Sequence, residues 1–107
     1  MSSTGLKVQD EALRELAFGS ISSAYANLGG VTLFDADIVT IGNNTDTDVY
    51  VSFDGGTTPH KKLPAHSSTV YDYHANSLFR IAGTQIAIKD NTVAATTGWV
   101  IAEIEYS

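Results

Sequence analysis

Apolar and polar residues alternate at Val49, Tyr50, Val51, Ser52 and Phe53, the two-residue period of a strand with one buried face. Asp54-Gly55-Gly56 follows at once and supplies the positive φ angles of a tight reversal. Lys61 to Leu63 reads as a short edge strand, with Pro64 blocking its continuation. Further strands are predicted over ADIVTIGNN (ended by a Gly-Asn-Asn turn), SSTVYDY, LFRI, TQIAIK and GWVIAEIEY. The leading segment carries two patterns. DEALRELA, Asp10 to Ala17, holds good helix formers with Asp10 as a candidate cap, whereas FGSISSAYANLGG alternates at β spacing. The balance favours a strand from about Leu16 to Asn27, preceded by an arm or a single helical turn.

Seven or eight strands with no βαβ pattern predict an all-β protein, an antiparallel β-sandwich of jelly-roll type. A chain of 107 residues makes one domain, here residues 13–107 behind an arm at 1–12. The last strand is irregular. Val100, Ala102, Ile104 and Tyr106 make an inward face, but the outward face begins with Trp99 and Ile101 and ends with Glu103 and Glu105. A strand solvated along its whole outer face would not carry Trp and Ile there; either a loop of the chain or a partner covers them.

Composition narrows the function classes. There is no cysteine, which excludes disulfides, zinc thiolate sites and thiol nucleophiles. Twelve acids against six bases give a net charge of −6, and the one basic cluster is Lys61-Lys62 with His60 beside it. Direct nucleic-acid binding, which needs a basic stripe along phosphates, is not expected. MSSTGLKVQD lacks the apolar core of a signal peptide and no run approaches a membrane span, so cytoplasmic synthesis without membrane association is expected.

Catalytic constellations are absent from the pattern. His60, His66 and His74 show no metal-ligand spacing, and Asp46, Asp48 and Asp54 read as turn residues that bond their own backbone. Glu103 and Glu105 lie side by side on one strand face and read as a solvated pair, not a glycosidase dyad. No G-x-S-x-G elbow occurs, and Asn43-Asn44-Thr45 is a formal glycosylation acceptor without a secretion signal. No cofactor and no enzymatic activity are expected.

Four segments together resemble small virion proteins of tailed bacteriophages. They are LRELAFGSISSAYANLG, IVTIGNNTDTDVYVSFDG, HKKLPAHSSTVYDYHAN and TQIAIKD…TTGWVIAEIEY, spanning about Leu13 to Tyr106, with Thr97 where a serine is expected. The resemblance implies a β-sandwich that reinforces or joins virion parts, as capsid decoration or cement, or as a head-to-tail neck ring. Its partners would be capsid or neck and portal-region proteins and other copies of itself, in a virion assembled in the host cytoplasm. Arm residues Leu6, Val8 and Leu13, with Tyr50, Trp99 and Ile101, are the candidate contacts. The alternative is a carbohydrate-binding sandwich used in host attachment, with Tyr25, Tyr50, Tyr71 and Tyr73 stacking on sugar rings.

Overall fold

The computed structural model describes residues 9–73 and 80–106. These hold nine strands: β1 (Gln9–Asp10), β2 (Arg14–Ala17), β3 (Ala26–Asn27), β4 (Ile38–Thr45), β5 (Val49–Ser52), β6 (Lys61–Leu63), β7 (Ser67–Asp72), β8 (Ala87–Asp90) and β9 (Gly98–Tyr106). One sheet runs β1-β9-β4-β7, with β2 pairing the same edge of β9; the other runs β3-β8-β5-β6. All the strand pairings are antiparallel. The all-β antiparallel sandwich expected from the alternation is the observed architecture.

Inward residues of the two sheets meet in one core. Val39 and Ile41 of β4 and Val100, Ala102 and Ile104 of β9 are buried on one side, and Val49, Val51, Leu63 and Ile88 on the other. Val49, Val51 and Phe53 share the buried face, as the alternation requires. Each fully buried branched side chain contributes about 1.5–3 kcal/mol of transfer free energy. Leu28 and Ala36, from the β3–β4 connection, are also fully buried and belong to the same core.

Three sequence expectations change. DEALRELA forms no helix: Arg14 to Ala17 pair with Ala102 to Trp99 on β9, and Arg14 and Leu16 turn inward. The single strand expected from Leu16 to Asn27 is broken by a 3₁₀ turn at Phe18–Ser20, where Ile21 N–H bonds the Phe18 carbonyl. There the chain leaves one sheet and reaches the other, a tertiary demand that the alternation does not encode. The Gly-Asn-Asn segment is no turn, because β4 continues through it, in register with β7 as far as Asn43 and with β9 as far as Thr45.

Half of the LFRI strand, residues 78–79, falls outside the described residues; its Arg80 forms a bridge with Ala36. Within the segment 1–12 read as an arm, Gln9 and Asp10 pair with Tyr106 and Glu105, and Glu11 N–H bonds the Ile104 carbonyl.

Candidate functional site

Register fixes what each outer face presents. On the outside of the first sheet, Trp99 lies between Ala17 and Asn44, and Ile101 between Glu15 and Gly42. Glu103 and Glu105 sit opposite Thr40 and Ile38, which in turn face Val70 and Asp72. Trp99 is 52% exposed, so the described chain leaves half of its surface open. Ile101 lies over Gly42, where an added Cβ would come within 3.2 Å of its Cγ1. Beside it a hollow of ≈ 280 Å³ is lined by Gly42, Asn44, His66, Ser68 and Ile101, among others. Leu13 is 55% exposed and joins Asp10, Glu11, Glu103 and Glu105 around a second hollow of the same sheet.

Tyr50 belongs elsewhere. It sits on the outside of the second sheet, opposite Lys62 and Lys89, with the Lys89 ammonium 5.6 Å from its ring centroid and 4.9 Å from that of Tyr25. The contact candidates therefore divide: Leu13, Trp99 and Ile101 share one face, Tyr50 lies on the opposite one, and Leu6 and Val8 lie outside the described residues.

Sequence reading missed the most exposed apolar group. Val31, Leu33 and Phe34 on the β3–β4 connection and Ile81 before β8 are 47%, 71%, 45% and 67% exposed. These two segments bond each other at one end of the sandwich, through Thr32 N–H to the Thr84 carbonyl, Gly83 N–H to the Thr32 carbonyl and Ala82 N–H to the Asp35 carboxylate. No periodicity marks them. The one signal in the sequence is the apolar V-T-L-F run between Gly29-Gly30 and Asp35, where a polar loop would be ordinary.

The carboxylates singled out in the sequence serve turns. Asp54 Oδ1 accepts from Ser52 Oγ (2.6 Å), Thr57 N (3.0 Å) and Thr58 N (2.9 Å), across the Gly55-Gly56 reversal with its φ angles of 75° and 103°. Asp46 accepts from the Thr96 amide and hydroxyl, and Asp48 from Ala65 N–H at 3.0 Å. Donors aimed at the ionised form hold two of these acids below the usual carboxylate range, chiefly Ser52 Oγ for Asp54 and Thr96 Oγ1 for Asp46. A depressed folded pKa means that their stabilisation is complete above the unfolded value near pH 4 and is lost as pH falls toward the folded value. Acid unfolding followed by circular dichroism is therefore expected to begin below about pH 4, and Asp54→Asn to flatten that limb while leaving its onset from Asp46.

Histidines and tyrosines are likewise engaged. His60 Nδ1 accepts the Phe53 N–H at 3.1 Å, and His66 holds a left-handed turn with φ 55°. His74 lies outside the described residues. Tyr71 meets Phe53 edge-on at 5.3 Å, and Tyr73 Oη accepts from Arg80, whose guanidinium lies 4.5 Å from the Phe53 ring centroid. Burial pushes the Tyr25 and Tyr71 phenols up. Asn43 is 1% exposed with both amide atoms bonded inside the fold, so the formal glycosylation acceptor is inaccessible in the folded domain.

No family model matches the chain, and no curated protein does. Among solved structures, it is similar to a chain described under "Bacillus endospore appendages form a novel family of disulfide-linked pili", with a TM-score of 0.54 and 20% identity, covering 100% of this chain and 95% of that one. At that identity the likeness is one of fold.

Proposed function

We propose that this chain is a non-enzymatic structural subunit working as one of many copies in an ordered assembly. The observation carrying this reading is the surface: Trp99, Leu13, Val70, Leu33 and Ile81 are each more than half exposed on a small sandwich. The buried Asn43, Thr45, Ser52 and Asp90, by contrast, all bond within the fold. The fold likeness to a pilus protein supports a subunit role by analogy. With no cysteine in this chain, its contacts with neighbours are non-covalent as far as disulfides go.

The order β2-β9-β4-β7 against β3-β8-β5-β6, in which every connection from β2 to β9 except β5–β6 crosses between the sheets, we read as a jelly roll, an architecture that virion proteins often use. With the sequence resemblance described above, it favours a tailed-phage virion as the assembly, at the capsid surface or the neck. The packed positions of Tyr71 and Tyr73 count against the sugar-binding alternative.

The test is assembly itself. Purified protein is expected to form regular oligomers or polymers visible by negative-stain microscopy and sedimentation. Trp99→Ala is expected to change unfolding stability by less than about 1 kcal/mol, as an exposed position should, while weakening assembly. A Trp99→Ala chain that unfolds would place Trp99 in the core. Particle proteomics that finds the chain at stoichiometric copy number in virions would support the phage location, and its absence from them would remove it.

A further inference from the structure

One outer face of the sandwich is acidic, while the other gathers lysines around Tyr50, with Asp48 beside Lys62 and Asp54 near Tyr25. On the first, Asp10, Glu15, Glu103 and Glu105 line β1, β2 and β9, and no lysine or arginine among the described residues projects from that face; Arg14 turns inward to Glu11. Asp10 and Glu105 stand directly opposite one another across the strand pair. A like-charge cross-strand pair is destabilising unless a cation neutralises it, and no described side chain of the domain does so. On the second face, Lys62 and Lys89 flank Tyr50 in one cross-strand row, with the Tyr25 ring against Lys89. The ion pair that the described residues form there, Lys62 to Asp48, is long at 3.9 Å and exposed, and so holds Lys62 only weakly.

We propose that copies of this chain stack by a heterologous contact, the acidic Trp99/Glu103/Glu105 face of one copy seated on the Lys62/Tyr50/Lys89 face of the next. The inference rests on the self-assembly reading above and names its surfaces. Two acidic faces meeting each other would repel, as would two lysine faces, so a two-fold dimer through either face is disfavoured. Opposite faces meeting leave one unused face at each end of the pair, and such a contact propagates to a ring or a filament. Trp99 and Ile101 on one side and the Tyr25 and Tyr50 rings on the other supply an apolar centre, with the carboxylates and ammonium groups around it.

The test uses two charge-reversed chains, K62E/K89E and E103K/E105K, each checked for folding by thermal unfolding. Wild type is expected to associate more strongly at about 50 mM than at about 500 mM salt, since exposed charges are screened over a few ångströms in the latter. Each variant alone is expected to associate about tenfold or more weakly than wild type. An equimolar mixture of the two is expected to assemble again, because each reversed face then meets its complement. Should a reversed chain fail to fold, K62Q/K89Q is expected to lose both association and its salt dependence. A variant that assembles alone as wild type does would overturn this interface and leave the assembly reading standing. Folded, monomeric variants that stay apart when mixed would overturn it too. Wild type that remains monomeric under all these conditions would instead remove self-assembly, and this contact with it.

Discussion

Asn43→Asp is expected to be the most destabilising isosteric change in the domain. Asn43 Nδ2 donates to the carbonyl oxygens of Thr47 (2.9 Å), Leu63 (3.0 Å) and Pro64 (3.1 Å). Its Oδ1 accepts from Thr45 N (3.1 Å) and Thr45 Oγ1 (2.6 Å). One side chain thus ties the β4–β5 turn to the end of β6 and the approach to β7, bridging the two sheets where no ladder joins them. Alanine would leave buried carbonyls and the Thr45 N–H without this partner, at a cost of about 3 kcal/mol. Aspartate would do worse, because it keeps the volume but sets an oxygen against three carbonyl oxygens in a buried site. A loss of about 5 kcal/mol is expected, comparable to the whole stability of many small domains. Urea unfolding of the two variants checks the order, Asn43→Asp below Asn43→Ala below wild type. Equal midpoints for aspartate and asparagine would show that the carbonyl cluster does not need a donor.

The position of Asn43 also shows where sequence reading fails. Gly42-Asn43-Asn44 has turn composition, and local propensity stops the strand there. Residues far away in the chain decide otherwise: β9 offers a register through Thr45 and β7 one through Asn43, and the carbonyls of Leu63 and Pro64 reward an inward amide. Such partners lie about 20 residues off in sequence and leave no periodic mark. Where burial alone sets the pattern, the reading succeeds: Val49, Val51, Val100, Ala102 and Ile104 face inward as their alternation requires. The outward Trp99 and Ile101 were legible for the same reason, as breaks in that alternation. The exposed Val31, Leu33, Phe34 and Ile81 were not, because they sit in loops whose hydrogen bonds, not their hydrophobicity, set their place. The charge separation between faces was hidden as well, since it appears only when register puts Asp10 beside Glu105 and Lys62 and Lys89 beside Tyr50.

The second large effect is expected at Glu11 and Arg14, in the segment whose composition suggests a helix. Their side chains are 2% and 9% exposed and bond at 2.8 Å between Oε1 and Nη2. Glu11 Oε2 also accepts the N–H groups of Leu33 and Phe34, each at 3.1 Å, and Arg14 Nη2 reaches the Val31 carbonyl at 3.5 Å. The pair therefore clamps the apolar 31–34 loop to the edge of β9. Gly29, with φ +74°, passes so close that an added Cβ would lie 2.8 Å from Arg14 Cγ, so the arginine stem fills the room that a larger residue would need. Removing either partner strands the other charge in a buried place, and Glu11→Ala or Arg14→Ala is expected to cost about 3–5 kcal/mol. Glu11→Ala should cost the more, because it frees two backbone donors besides the guanidinium, whose Nη1 already has no partner among the described residues. The apolar double variant Glu11→Leu/Arg14→Met is expected to recover part of the loss, since it removes both charges at once. Hydrogen exchange separates this clamp from a general weakening. In Glu11→Ala the amides of Leu33 and Phe34 should lose protection well before those of Val100 and Ala102 in the core, whereas uniform loss across both sets would mean that the pair supports the sandwich as a whole.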